Sequence, residues 1–289
     1  MAAAAKGMVG GTRLDQIVRH AVLLLGAVLV LGPIWIAFVA STLDPADILS
    51  RAVPLLPGPH GPATYADVLG KGLARAGAPP LWLMLANSLF VAVAVATGKI
   101  VISLLSAFAI VYFRFPGRML AFWLIFITLM LPVEVRILPT FEVIAHLGLV
   151  NTYWGLTVPL MASATATFLF RQFFLTVPRE IADAARLDGA RPMAFLWHIL
   201  IPMSRTTIAA LFVILFVYGW NQYLWPLLVT TEPRYYTIVM GIQRMMAVPD
   251  ATPTWHTIMA TATLALLPPA VVVMLMRRTF VRGLVDADK

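Results

Sequence analysis

Long uncharged runs alternate with short charged segments along the chain. The first run extends from Ala21 to Leu43, between the Arg19-His20 pair and Asp44. Further runs lie between Leu81 and Tyr112, between Met119 and about Thr140, between Leu147 and Phe170, and within Thr206 to Thr231 and Ala251 to Met276. A helix that crosses a bilayer uses about 20 apolar residues, so the pattern predicts six transmembrane helices in an all-α chain. The first run is longer than the roughly 7–15 apolar residues of a signal peptide and is read as an uncleaved anchor. Asp44 to Pro80 contains P-L-L-P-G-P-H-G-P, which cannot continue a helix because proline lacks the amide donor. This segment is expected to be an extramembrane loop.

Composition agrees with the pattern. The chain has 289 residues, 61% of them hydrophobic and 12% charged, against about 25% charged in soluble domains. Six spans and their loops leave no room for a separate soluble domain of the usual ~100–150 residues. There is no cysteine, so disulfides and thiolate metal sites are excluded. The five histidines are too scattered for a metal site.

The net charge of +8 is a topology signal. Basic residues collect on the cytoplasmic side of a membrane, close to the span ends. With the N-terminus inside, the outer segments hold only Arg51, Lys71, Arg75, Arg234 and Arg244. Lys99 and Arg136 fall within spans, and the other Lys and Arg residues all lie on the inner side. Both termini are therefore expected in the cytoplasm, and a nucleic-acid surface is not. The resulting plan is a cytoplasmic tail over 1–20, a first span and periplasmic loop over 21–80, a core over 81–280 with a cytoplasmic loop at 171–205, and a second tail over 281–289.

That 35-residue loop is the largest feature on its side. P-R-E-I-A-D-A-A-R-L-D-G-A, Pro178 to Ala190, predicts a helix opened by Pro178, acidic early at Glu180, and stopped at Gly189. A second short helix is expected from Arg191 or Pro192 toward Pro202. Ala182, Ala184, Ala185 and Ala190 allow another surface to approach closely, and Leu187, Phe195, Leu196 and Trp197 are apolar in a segment that otherwise faces water. Packing on the chain's own spans and docking of a separate partner are both compatible with this composition.

The spacing of D-A-A at Asp183 to Ala185, Gly189 after three residues, and I-L-I-P at Ile199 to Pro202 after nine more resembles the E-A-A-x3-G-x9-I-x-L-P loop of ATP-binding cassette importer permeases. Asp183 stands where the family has Glu, and Ile201 where it has Leu. Resemblance extends over almost the whole chain, through S-A-F-A-I-V-Y-F-R-F-P-G-R (Ser106 to Arg118), M-A-S-A-T-A-T-F-L-F-R-Q-F-F (Met161 to Phe174) and Y-G-W-N-Q-Y-L-W-P-L-L (Tyr218 to Leu228). Within the carbohydrate-importer permeases, L-P-V-E-V-R-I-L-P (Leu131 to Pro139) and the tail F-V-R-G-L-V-D-A-D-K narrow the resemblance to the second membrane subunits of sn-glycerol-3-phosphate importers.

The resemblance implies a type I importer permease fold whose cytoplasmic coupling helices sit in a groove of an ATPase subunit. Glu180, Asp183, Ala184, Ala185, Gly189, Ile199 and Pro202 would carry that contact. It implies a non-catalytic subunit of the bacterial inner membrane with no cofactor of its own, ATP and magnesium binding to the ATPase. The implied partners are a homologous second permease, two ATPase subunits, a periplasmic substrate-binding protein and membrane lipid.

An ionised side chain at mid-bilayer costs about 2.5–3.5 kcal/mol on insertion scales and marks a functional site by default. Counting about 1.5 Å per residue from the inner span ends puts Lys99, Glu134 and Arg136 in the outer half of a core about 30 Å thick. Trp220, Asn221 and Gln222 fall at a similar depth. These six are candidate substrate-pathway residues, the two cations suiting a phosphate monoester. The competing reading has Glu134 neutralising Lys99 or Arg136, Arg136 snorkelling to headgroups, and Trp220, Tyr223 and Trp225 forming an interfacial aromatic belt. A neutral-sugar importer and a proton-coupled carrier using Glu134 with Lys99 are the alternative functions. No second copy of any span pair supports a repeat-built carrier, and no H-E-x-x-H or G-x-S-x-G motif supports a membrane enzyme.

Overall fold

The computed structural model describes residues 13–50, 53–70, 79–128, 131, 133–247 and 254–286. In chain order the α-helices are α1 (Arg13–Ala40), α2 (Pro45–Ser50), α3 (Gly61–Gly70), α4 (Leu81–Tyr112), α5 (Arg118–Ile127), α6 (Val133–His146), α7 (Tyr153–Thr157), α8 (Ala164–Thr176), α9 (Arg179–Leu187), α10 (Pro192–Phe195), α11 (Ile201–Met203), α12 (Arg205–Trp220), α13 (Leu224–Val229), α14 (Ile238–Met246) and α15 (Trp255–Asp286). Short 3₁₀ turns at Val158–Leu160 and Pro233–Tyr235 and a π-helical stretch at Leu196–Leu200 complete it. Among the described residues there is no strand. The described residues divide into two units, one built from the chain up to Val68 and the start of α15 to Leu264, the other from Leu69 onward and the rest of α15.

In the first unit α1 exposes nearly its whole apolar surface, with Leu23 at 71% and Leu29 at 68%. Apolar residues on all sides are the mark of a helix meant for lipid or for another chain. Its end is anchored. Trp35 Nε1 donates to the Leu55 carbonyl (3.0 Å), the Gly58 amide donates to Thr42 Oγ1 (2.7 Å), and Ser41 Oγ lies 2.8 Å from the Tyr65 hydroxyl. The proline-rich segment expected as a loop thus folds back on the helix that precedes it, and carries the short α2 and α3.

The second unit is organised around α4, which packs mainly against α12 and α8. Lipid is as apolar as leucine, so helix association here rests on close packing and interhelical hydrogen bonds. Both are present. A side chain on Gly219 would come within 2.9 Å of Ala92 Cα, so only glycine lets the α12 and α4 backbones approach this closely. Ser103 Oγ of α4 donates to the Ser163 carbonyl (3.1 Å), and Asn87 Nδ2 donates to the carbonyls of Arg234 (2.8 Å) and Tyr236 (3.0 Å).

Among the described residues three helices are each long and apolar enough to cross a membrane, Leu14–Ala40, Leu81–Tyr112 and Trp255–Met276, and up to five spans result if each bent pair counts as one. The third, fourth and fifth runs, expected as single helices, are interrupted. α5 ends at Ile127 and α6 begins at Val133, with Pro139 inside it. The fourth run bends by 47° between Tyr153–Leu160 and Ala164–Thr176, next to Pro159. α12 is 16 residues long, about 24 Å at 1.5 Å per residue, and the chain resumes as α13 after Asn221, Gln222 and Tyr223. Proline removes an amide donor in each region, and in the fourth run the Gly155 carbonyl, freed by Pro159, accepts from a side chain of the packed unit, Trp225 Nε1.

Candidate functional site

The end of α12 shows how a helix stops inside this unit. The Tyr218 carbonyl, which the amide of residue 222 would occupy in a continued helix, accepts instead from Gln222 Nε2 (3.1 Å). Trp225 Nε1, at the start of α13, donates to the Gly155 carbonyl of α7 (3.0 Å) and is buried there. The unwound Asn221–Tyr223 segment lies between these two ties.

Beside that break is a cavity of about 120 Å³, bordered by Lys99, Arg136, Thr140, Tyr218, Gln222 and Trp225 together with apolar groups of α6 and the Val158–Leu160 turn. It is roomy enough for several waters. Lys99 comes from α4 and is only 7% exposed. Its Nζ sits 3.8 Å from the centre of the Tyr218 ring. Arg136 reaches the cavity from α6 and is exposed at its rim. Among the described residues neither cation is in an ion pair. Sharing Ile137 and Trp225 with the cavity wall, Val91, Val95, Ile137, Leu156 and Trp225 form a buried apolar cluster against which Tyr218 packs.

The structure therefore brings together Lys99, Arg136 and Gln222 of the six pathway candidates. Trp220 is 2% exposed and stacks on Phe216 with ring centres 5.9 Å apart, so it packs in the core beside the break. Asn221 is exposed and does not border the cavity. The side chain of Glu134 lies outside the described residues. An interfacial aromatic belt does not describe Trp220 and Trp225, since both are buried and Trp225 spends its indole donor on Gly155. Tyr218, Thr140 and Trp225 were missed as cavity residues. For Tyr218 a signal was available: it precedes Gln222 by four residues, which puts both on one face of a helix.

The loop between α8 and α12 is the second candidate site. α9 ends in a Schellman motif: the Gly189 amide donates to the Arg186 carbonyl (3.0 Å), the Ala190 amide to the Ala185 carbonyl (2.9 Å), and Gly189 stands at φ +72°. Glycine is favoured at this left-handed position because it has no Cβ to clash. Ala185 is buried at 6% and, with Ala182 and Ala190, borders a cleft of about 90 Å³ closed by Phe108, Tyr112 and Phe195. The Tyr112 ring meets Phe195 edge-on at 5.2 Å and Phe174 at 6.0 Å, seating the loop on the end of α4. Glu180, Asp183 and Ala184 face outward, and Asp183 pairs with Arg186 at 3.0 Å with both side chains more than 60% exposed. Ile199 and Pro202 are half-buried in the second helical segment, which turns by 75° into α12. Several large apolar side chains of the loop remain open, Leu187 at 89% and Trp197 at 61% the most, with Met193 also exposed.

Comparison with known proteins gives consistent matches. The family model for the binding-protein-dependent transport system inner membrane component matches residues 99–286. The sn-glycerol-3-phosphate transport system permease protein UgpE of Agrobacterium fabrum is 56% identical over 282 residues, covering 98% of this chain and 100% of that protein. The protein of the same name in Rhizobium meliloti is 55% identical, covering 96% and 98%, and that of Yersinia pestis 53%, covering 98% and 100%. A chain from the crystal structure of a bacterial ABC transporter involved in the import of the acidic polysaccharide alginate shares the fold, with a TM-score of 0.79 at 21% identity over 93% of this chain and 99% of that one. With a broken-helix membrane core, a two-helix loop set on its end and relatives matching over almost the full length, the chain belongs to the family of binding-protein-dependent transport system inner membrane components.

Proposed function

We propose that this chain is a non-catalytic permease subunit of an ATP-driven importer that moves sn-glycerol-3-phosphate from the periplasm to the cytoplasm. The observation that carries this reading is the cavity at the α12 break, where Lys99 and Arg136 face one polar space without a carboxylate partner among the described residues. The near-full-length relatives, named for sn-glycerol-3-phosphate transport, support the cargo. A phosphate monoester entering this space exchanges its hydration for two cationic donors, a charge-assisted interaction that a neutral sugar does not make. Gln222 and Thr140 offer further polar atoms at the wall.

Energy enters through the 178–204 loop. Leu187 and Trp197 present apolar area on the exposed side of this segment, beside exposed charges at Glu180, Asp183 and Arg186, and a groove on an ATPase subunit that covers them converts closure of two ATPase subunits into movement of α9 and α12. ATP and magnesium bind to those subunits, not to this chain. A homologous permease forms the other half of the pathway, and a loaded periplasmic binding protein docks on the opposite side. The tails, 1–20 and 281–289, lie in the cytoplasm, the loop within 21–80 lies in the periplasm, and the permease core spans 81–280.

The test is uptake of labelled sn-glycerol-3-phosphate by proteoliposomes carrying the complete complex, with ATP hydrolysis recorded in parallel. Lys99→Ala is expected to lower uptake at least tenfold while ATP hydrolysis still responds to the loaded binding protein. A wild-type complex that imports a neutral sugar and no glycerol-3-phosphate overturns the cargo. Unchanged uptake by Lys99→Ala overturns the role of the cavity.

A further inference from the structure

The partner of Lys99 in this structure is an aromatic ring. Its Nζ lies 3.8 Å from the Tyr218 centroid, well inside the ~6 Å within which a cation is attracted by the ring face. The geometry is held from both sides. Lys99 and Val95 are one turn apart on α4, and the Tyr218 ring packs against the cluster that contains Val91 and Val95. On α12 the Tyr218 carbonyl is tied to Gln222 Nε2, so the ring sits on the last turn before the helix breaks.

From this we infer that Tyr218 is a positioning residue that holds the Lys99 ammonium in the cavity until substrate arrives and then releases it to the substrate phosphate. The inference rests on the cavity being the substrate pathway. A buried ammonium needs a partner, and the type of partner decides what can displace it. A carboxylate would neutralise the charge and compete with an incoming phosphate on equal terms. A ring face holds a desolvated cation by only about 30-fold in equilibrium terms, whereas a phosphate offers a full charge and strong acceptor oxygens. The ammonium therefore stays buried and oriented while the cavity is empty, yet yields to a dianion. Neutral solutes lack the charge to displace it, so the same contact discriminates against them.

The ring's attraction for a cation falls as fluorine is added to it, with little change in size, so the test replaces Tyr218 by phenylalanine and by mono-, di- and trifluorinated phenylalanine in the complete complex. Binding of labelled sn-glycerol-3-phosphate to the complex in lipid nanodiscs is measured without the binding protein. Tyr218→Phe is expected to bind within about twofold of wild type, because the ring face is retained. Each added fluorine should tighten binding, to about tenfold for the trifluorinated ring, and the trend should vanish in a Lys99→Ala background. A purely structural Tyr218 would move neither the slope nor its dependence on Lys99. A flat series in a complex whose Lys99→Ala variant binds poorly overturns this inference alone. A wild-type complex that binds no glycerol-3-phosphate, or a Lys99→Ala variant that binds it fully, overturns the cavity reading and this inference with it.

Discussion

Asn151 stands at φ +57°, a left-handed conformation otherwise taken by glycine among the described residues. Its side chain repays the strain locally. Oδ1 accepts from the amides of Thr231 (2.7 Å) and Glu232 (3.0 Å), and Nδ2 donates to Thr231 Oγ1 (2.9 Å), while its own amide donates to the Val229 carbonyl. Asparagine tolerates this region because its short polar side chain bonds to nearby backbone. Asn151→Ala keeps the strain and loses the three side-chain bonds, so it is expected to destabilise the assembled complex by about 1–3 kcal/mol, read as a fall in thermal midpoint. Asn151→Gly relieves the strain without restoring the bonds and should fall between alanine and wild type. Gly189 is the opposite case, with no side-chain bond to lose. Gly189→Ala costs about 1 kcal/mol through the left-handed backbone alone, and the expected readout is weaker ATP-hydrolysis stimulation with cavity binding unchanged.

Among the elements, the loop helices were the most legible from sequence. The stop at Gly189 and the restart at Pro192 depend on residues within one turn of each boundary, and both lie where the pattern predicts. The interruptions of the third, fourth and fifth runs were not legible, since an apolar run that contains proline reads the same whether the helix kinks or breaks. What separates these outcomes is whether a distant group takes the freed backbone atoms, as Trp225 Nε1 does for the Gly155 carbonyl of α7. The α12–α4 contact makes a further prediction. Gly219→Val places methyl groups against the Ala92 backbone, where nothing can move aside as a flexible side chain would. The two helices must separate, and uptake and thermal midpoint should both fall, whereas the same substitution at Gly26, with open space around its Cβ position, should leave both within experimental scatter.

Taken as a whole molecule, the chain leaves two kinds of apolar surface open. α1 exposes its flanks along a stretch of 27 apolar-rich residues, a surface that lipid or an apolar helix covers without cost because both are as apolar as the helix itself. Leu187 and Trp197 are different, because they belong to a loop with exposed charges at Glu180, Asp183 and Arg186, where water is the alternative solvent. Covering them therefore gains about 25 cal/mol per Å² of buried apolar area. Trp197→Ala is expected to weaken retention of the ATPase subunits by about tenfold in pull-down from detergent, with the cavity's affinity for glycerol-3-phosphate unaffected. Loss of both together would mean that the tryptophan supports the fold.

The amino-acid sequence by itself determined the membrane character, the rough place of each apolar run and the two-helix form of the loop. These depend on composition within a window, on the proline before a helix and on the glycine after it, all of which act over a few residues. Only the tertiary structure decided which polar side chains share a cavity. Helical periodicity places Lys99 at a depth but leaves open which neighbour it faces, because the rotation of a membrane helix is set by packing against other helices. The close Gly219–Ala92 approach brings α12 against α4, and the Trp225–Gly155 hydrogen bond and the Gln222 cap hold α12 open at its end. Those three contacts put Tyr218 over Lys99 and Trp220 into the core, a distinction between two aromatic residues of one helix turn that local pattern does not contain.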